Sequence, residues 1–375
     1  MNERRILEVI QNHGPISRAE VRELSGISAP TVSKTVASLL KARLLEECDV
    51  PATAPGRPSK ILRLASESVQ VLGVVVGAIR SWVLSAGLDG QLHEETMHEF
   101  PTPGTYAGLL DAIVERAEAL RARKDRKTLG IGISIPGLLN RREQRTLISP
   151  NLHQTDGHTL GIDLTQRTGL ETMLFQESYA LCLAEWTYGN AKGLSNFAMI
   201  DVSEGLGLGV FSGGQHIGGH SGLGGELGHI TVHPQGKLCG CGNRGCLETE
   251  ATDRALAAAI SRSVGETLSI EEIVRRVRDG VLQPTAEFNE MLEYLSIGLA
   301  AVVNLFNPSH LFVHGRFLDA NDGLFSHLVE LTKRRALAPT MAECQIIRAR
   351  GSKRQGAIAG IIHHLTSARG PALLG

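Results

Sequence analysis

The chain has 375 residues, long enough for two or three domains. Its 42% hydrophobic and 21% charged residues are those of a globular protein, and no apolar run approaches the roughly 18 to 20 residues that a membrane span needs. A formal net charge of -1 excludes any overall attraction to nucleic acid, so such a contact has to come from a local basic surface. Residues 1–65 offer one, with ten Lys/Arg against seven Asp/Glu. The opening Asn2-Glu3-Arg4-Arg5 leads into an amphipathic pattern and not into the apolar core of a signal peptide, so a cytoplasmic protein is expected.

Ile6, Leu7 and Ile10 share one helical face, and His13-Gly14-Pro15 ends that helix. Ser17-Arg18-Ala19-Glu20 has the form of a capping box and opens a second helix that stops at Ser25-Gly26. Ser28 is placed to cap a third helix, with Pro30 in its first turn. Val32, Val36, Leu39 and Leu40 form its apolar face. Two strands, Leu44–Cys48 and Lys60–Leu64, flank the loop from Pro51 to Pro58. Three helices and a β-hairpin make a winged helix-turn-helix, assigned to residues 1–66. Ser28, Thr31, Ser33, Lys34 and Thr35 put short hydroxyls and one cation where a helix in a major groove meets base edges and phosphates. Arg57, between Gly56 and Pro58, suits a narrow, electronegative minor groove. Double-stranded operator DNA is therefore the expected partner.

Beyond the wing, the pattern predicts strands at Val71–Ala78, Ser81–Leu88 and Gln91–Phe100, with Asp89-Gly90 as a tight turn. A helix over Thr105–Lys124 and a strand over Leu129–Ile135 follow. The opening repeats later. Phe197–Val202 and Leu206–Phe211 read as paired strands with a return near Gln215–Ile217. Helix 286–306, strand Leu311–Val313, helix 319–335, strand Cys344–Ala349 and a terminal helix complete an α/β lobe. Two lobes, 67–190 completed by the helix in 356–375, and 191–355, suggest a duplicated fold with a ligand cleft between them.

The sharpest chemical signal is His229, nine intervening residues, then Cys239, Cys241 and Cys246. One imidazole and three thiolates form a closed tetrahedral set suited to structural zinc. Cys48, Cys182 and Cys344 stand alone and read as ordinary core or surface residues.

The stretch from Gly224 through Glu226 to His229, followed by Cys239-Gly240-Cys241-Gly242-Asn243-Arg244-Gly245-Cys246-Leu247-Glu248, resembles the signature of the ROK family of sugar kinases and repressors. With Gly56-Arg57-Pro58 in the wing, the chain is similar to the regulatory branch, which includes xylose, N-acetylglucosamine and glucose-type repressors. The resemblance implies a two-lobed, actin-like (ribonuclease H-like) sugar-kinase fold. It implies that Glu226, His229 and Glu248 bond sugar hydroxyls, with Asn151 as a further contact. Gln176-Glu177 aligns with the family's catalytic Asn-Asp pair and can still face the sugar.

Against that family the phosphate-handling elements are altered. Val75-Val76-Gly77-Ala78-Ile79 lacks the carboxylate and hydroxyl of the usual Asp-x-Gly-Gly-Thr. Glu204 stands in the second phosphate loop, Ser203–Gly209. The base position is Glu177, one methylene longer than aspartate, and His314-Gly315-Arg316 replaces a run of glycines. The expectation is a regulator and not an enzyme. It would be a dimer or tetramer, repressing carbohydrate uptake or catabolism genes under control of a sugar or sugar phosphate. An active sugar kinase carrying a DNA-binding domain, and a repressor controlled by a protein partner, remain as alternatives.

Overall fold

A computed structural model describes residues 2–49, 60–123 and 126–366. Helix α1 (Asn2–His13) buries Ile6, Leu7 and Ile10. Strand β1 (Ile16–Ser17) leads into α2 (Arg18–Ser25), which opens with the expected reciprocal cap. The Glu20 amide donates to Ser17 Oγ at 3.3 Å, and the Ser17 amide donates to Glu20 Oε2 at 2.7 Å. Gly26 closes α2 in the left-handed region at φ 65°. Helix α3 (Ala29–Lys41) buries Val32, Val36 and Leu39. Ser28 precedes α3 but does not cap it with its side chain; its hydroxyl is 2.9 Å from that of Thr31. Strands β2 (Leu45–Asp49) and β3 (Lys60–Leu64) pair antiparallel, giving a sheet of order β1-β3-β2. Arg57 and the rest of the wing loop lie outside the described residues.

Strands β4 (Val69–Val76), β5 (Arg80–Ala86) and β6 (His98–Pro101) form an antiparallel meander. The third is much shorter than Gln91–Phe100. Glu94–Thr96 turns into a 3-10 helix, in which the Thr96 hydroxyl donates to the His93 carbonyl at 2.6 Å and accepts from the Ser85 amide at 3.1 Å. These side-chain bonds compete with strand pairing for the same backbone. After α4 (Tyr106–Arg121) come β7 (Lys127–Ile135), the hairpin β8 (Leu138–Asn140) and β9 (Arg145–Ile148), α5 (Leu160–Thr168), β10 (Thr172–Gln176) and α6 (Glu177–Tyr188). The first large sheet has the order β10-β7-β4-β5-β6.

The second sheet repeats that arrangement. Strands β11 (Phe197–Asp201), β12 (Gly207–Ser212) and β13 (Gln215–His216) form its meander. Helices α7 (Leu247–Glu250), α8 (Asp253–Val264), α9 (Ile270–Arg278) and α10 (Thr285–Phe306) precede β14 (His310–His314). Helix α11 (Asp322–Arg335) starts three residues later than the pattern suggests, because Arg316–Asp319 forms its own 3-10 turn and Asn321 caps the helix. Helix α12 (Ala338–Glu343) and β15 (Gln345–Arg348) complete the order β13-β12-β11-β14-β15. In both sheets the fourth and fifth strands run parallel to the first.

The last helix, α13 (Lys353–Thr366), crosses back onto the first sheet. Glycine permits the approach: a Cβ on Gly132 would lie 2.1 Å from the Ala357 carbonyl oxygen. Ile358, Ile361, Ile362 and Leu365 of α13 share one buried cluster with Ile6, Leu7 and Ile10 of α1. The winged helix is thus joined to the first sheet by a continuous apolar core. Among the described residues, no helix is long and apolar enough to cross a membrane.

Candidate functional site

His229 ends a 3-10 turn, Leu227–His229, and the three cysteines follow in a knuckle. The Cys239 amide donates to the Asn243 carbonyl at 2.7 Å, and the Gly242 amide to the Cys239 carbonyl at 3.0 Å. Gly245 has φ 65°, and a Cβ there would fall 1.6 Å from the His233 carbonyl oxygen, so only glycine allows the chain to fold back. The ligand atoms of His229, Cys239, Cys241 and Cys246 all lie within 4.8 Å of one another. His229 Nδ1 is 3.7 Å from Cys239 Sγ, and Cys241 Sγ is 3.7 Å from Cys246 Sγ. A tetrahedron with zinc–sulfur bonds of about 2.3 Å has sulfur–sulfur edges of about 3.8 Å, so the donor set fits that ion.

The same segment delivers the carboxylates. Helix α7 begins immediately after Cys246, which places Glu248 beside the cluster and only 4% exposed. Glu248 Oε1 lies 3.1 Å from Cys239 Sγ and 3.9 Å from His229 Nδ1. Glu226 Oε2 lies 3.7 Å from the other imidazole nitrogen, Nε2. From the first lobe, Gln176 Nε2 donates to Glu226 Oε1 at 3.0 Å. Burial raises the Glu226 carboxyl above its usual range, opposed by His229 and the Gln176 bond. A Cβ on Gly205 would be 3.2 Å from Glu248 Oε2 and 3.5 Å from Asn151 Nδ2, so the loop after β11 passes close beside both side chains.

Asn151, Gln176, Glu226, His229 and Glu248 are therefore neighbours in space. Glu177, the residue after Gln176, has partners of its own. Its carboxylate pairs with Lys353 Nζ at 2.6 Å, and that ammonium also lies 3.1 Å from Asp201 Oδ2. Asp201 Oδ1 in turn bonds His314 Nδ1 and the Ser203 hydroxyl, each at 2.8 Å. Burial alone would raise Asp201, but Lys353 and His314 hold it well below the usual carboxylate range. Arg254, exposed on α8, donates from Nη1 to Asn151 Oδ1 at 2.6 Å across the cleft. Arg254, Asp201 and Lys353 carried no local motif in the sequence.

On α3, Ser33 and Lys34 are exposed, Thr31 and Thr35 are half-buried, and Ser28 is exposed just before the helix. Together with Asn2 and Glu3 at the start of α1, Thr31, Lys34, Thr35 and Ser38 border an open groove. Glu204 is exposed in the loop after β11, and Ile79 is 70% exposed in the turn after β4.

Comparison with known proteins adds two family matches. The ROK family model matches residues 71–366, and the MarR family model matches residues 1–54. A xylose repressor of Bacillus subtilis (strain 168) is 26% identical over 323 residues, covering 86% of this chain and 83% of that protein. The crystal structure of a ROK family transcriptional regulator, a homologue of the E. coli MLC protein, superimposes with a TM-score of 0.80 at 26% identity, with 96% of each chain covered. A ROK hexokinase from Thermus thermophilus superimposes with a TM-score of 0.64 at 28% identity, covering 78% of this chain and 97% of its own. The hexokinase covers 78% of this chain, whereas the regulator covers 96%. The ROK model spans most of the chain, and the signature around His229 and the three cysteines lies within the match: this protein belongs to the ROK family.

Proposed function

We propose that the protein is a DNA-binding transcriptional regulator, a repressor of carbohydrate uptake or catabolism genes, whose DNA affinity is set by a sugar or sugar phosphate in the cleft. In this reading residues 1–66 bind operator DNA, with Ser28, Thr31, Ser33, Lys34, Thr35 and the wing residue Arg57 as contacts. Residues 67–190 with the terminal helix, and 191–355, enclose the effector. DNA as partner places the protein in the cytoplasm. A two-fold dimer, or a tetramer built from it, matches half-sites about 34 to 36 Å apart or a multiple of that spacing.

One observation carries the reading: a winged helix shares its core with a ROK domain in which Gln176, Glu226, His229 and Glu248 converge. Two carboxylates accept hydrogen bonds from vicinal hydroxyls, and the Gln176 amide and the Asn151 side chain can both donate and accept. Zinc would be held by His229 and the three thiolates and would fix the imidazole, whose Nε2 lies 3.7 Å from Glu226 Oε2. When bound, that ion supplies rigidity and no open coordination position.

The absence of phosphoryl transfer rests on the altered loops. Val75–Ile79 offers no carboxylate for magnesium. Glu204 puts a negative charge where triphosphate would lie, a repulsion on the order of 4 kcal/mol at about 4 Å and intermediate dielectric. Glu177, in the position of the base, is engaged by Lys353. Arg316 replaces a glycine near the adenosine.

The test uses fluorescence anisotropy of a duplex selected on the zinc-loaded protein from a random library, with D-xylose, D-glucose, N-acetylglucosamine and their phosphates added in turn. One of these should weaken binding by about 5- to 150-fold. The likeness to the hexokinase favours a second reading, a sugar kinase, which a coupled ADP-release assay on the same panel detects. Sugar-dependent ADP release would replace our reading with that one.

A further inference from the structure

Lys353 occupies an unusual place. It lies in the first turn of α13, where the helix dipole disfavours a cation, and its side chain is only 20% exposed. Two carboxylates hold it there. Glu177 is the first residue of α6, directly after Gln176, which bonds Glu226. Asp201 ends β11 and is tied to His314 at the end of β14. One ammonium thereby joins the first lobe, two neighbouring strands of the second lobe, and α13. The side chains of Glu177 and Asp201 are 15% and 4% exposed, so the pair is shielded from solvent, and a rotation of the lobes that pulled it apart would strand buried charge.

The other end of α13 touches the winged helix. Thr366 Oγ1 donates to Gln11 Oε1 at 2.9 Å, and Ile361, Ile362 and Leu365 pack in the cluster that holds Ile6, Leu7 and Ile10. That cluster continues into Val32, Val36 and Leu39 of α3. Between its ends α13 is closely packed. A Cβ on Gly356 would be 3.0 Å from the Ala180 carbonyl, and one on Gly360 would be 2.6 Å from the Phe175 ring. Fourteen helical residues span about 21 Å, and so tightly seated a rod moves as a unit.

We propose that α13 is the coupling element of the protein: Lys353 senses the lobe arrangement through Glu177 and Asp201, and Thr366 with its apolar neighbours carries that arrangement to α1 and α3. This rests on the assignment of the cleft to sugar and of α3 to DNA. A sugar drawn to Glu226 and Gln176 shifts Glu177, the next residue, and so pulls on the ammonium. Coupling follows if the sugar binds the two arrangements with different affinity.

Hydrogen exchange on the zinc-loaded full chain tests this, alone and with D-xylose, D-glucose or N-acetylglucosamine. Lys353→Met should change amide protection in α1 by about fivefold or more. Protection in α9, an element of the second lobe, should stay constant, and Lys353→Arg should restore α1. Whichever sugar alters α1 exchange in the wild type should still bind Thr366→Val with unchanged affinity by calorimetry, yet shift α1 much less. An unchanged α1 in Lys353→Met, or equal changes throughout the chain, would overturn the proposal. So would a sugar response of α1 that persists in both variants. If no sugar gives heat with the wild type, the sugar assignment fails, while the ligand-free comparison of Lys353→Met with the wild type still decides the coupling.

Discussion

Cys241 is the most accessible of the three clustered thiols, and removing it separates metal from fold most cleanly. Cys241→Ser leaves three ligands, and zinc in dialysed protein, measured by atomic emission, should fall from about one equivalent per chain to well below half. Because Glu248 follows the Cys246 ligand by two residues, sugar heat should fall with it. His314 gives a second, independent test. Burial lowers its proton affinity, but the hydrogen bond and charge of Asp201 outweigh that and raise it above the ordinary 6.5. A histidine so raised stabilises the fold fully below the unfolded value and loses that contribution as pH rises through the folded one. The melting-temperature deficit of His314→Gln should therefore be larger at pH 6 than at pH 9. The cluster of His229, Cys239, Cys241 and Cys246 was legible because these residues lie within one short stretch and their spacing supplies a full donor count. Lys353, Asp201 and Arg254 were not, since their partners are brought together only by packing. The Arg254–Asn151 bond, for example, joins residues 103 positions apart.

At the scale of elements, α3 is a helix whose buried face is fixed by Val32, Val36 and Leu39 and whose outer face is left to hydroxyls and Lys34. Lys34→Ala should weaken binding to unrelated duplexes by a similar factor and lower the salt slope of log K by about 1, read by anisotropy over a salt series. A slope unchanged from the wild type would remove Lys34 from the interface. Most elements were readable from periodicity and punctuation, since Gly26 closes α2 and Ser17 caps it as the residue types suggest. The failures share a cause. Short polar side chains, Thr96 in the turn before β6 and Ser28 before α3, satisfy partners that hydropathy patterning does not register. The strand over Gln91–Phe100 was lost for that reason.

Across the whole molecule, two sheets share one strand order, and the last helix returns to tie the first sheet to the winged helix. The repeat of the opening meander was visible in the chain, and the duplicated lobes follow from it. The return of α13 to the first lobe was expected, but its packing against α1 of the winged helix was not, because those contacts, such as Thr366 to Gln11, join residues 355 positions apart. Carbohydrate binding in the cleft, through residues braced by the His/Cys knuckle, is the central proposal. Its most direct test is titration calorimetry of the zinc-loaded protein with D-xylose, D-glucose, N-acetylglucosamine and their phosphates, repeated on Glu226→Gln and Glu248→Gln. We predict saturable heat for one of these sugars and an affinity lowered by about 10- to 100-fold in each variant. Heat that is absent for every sugar, or that is undiminished in both variants, would contradict the account.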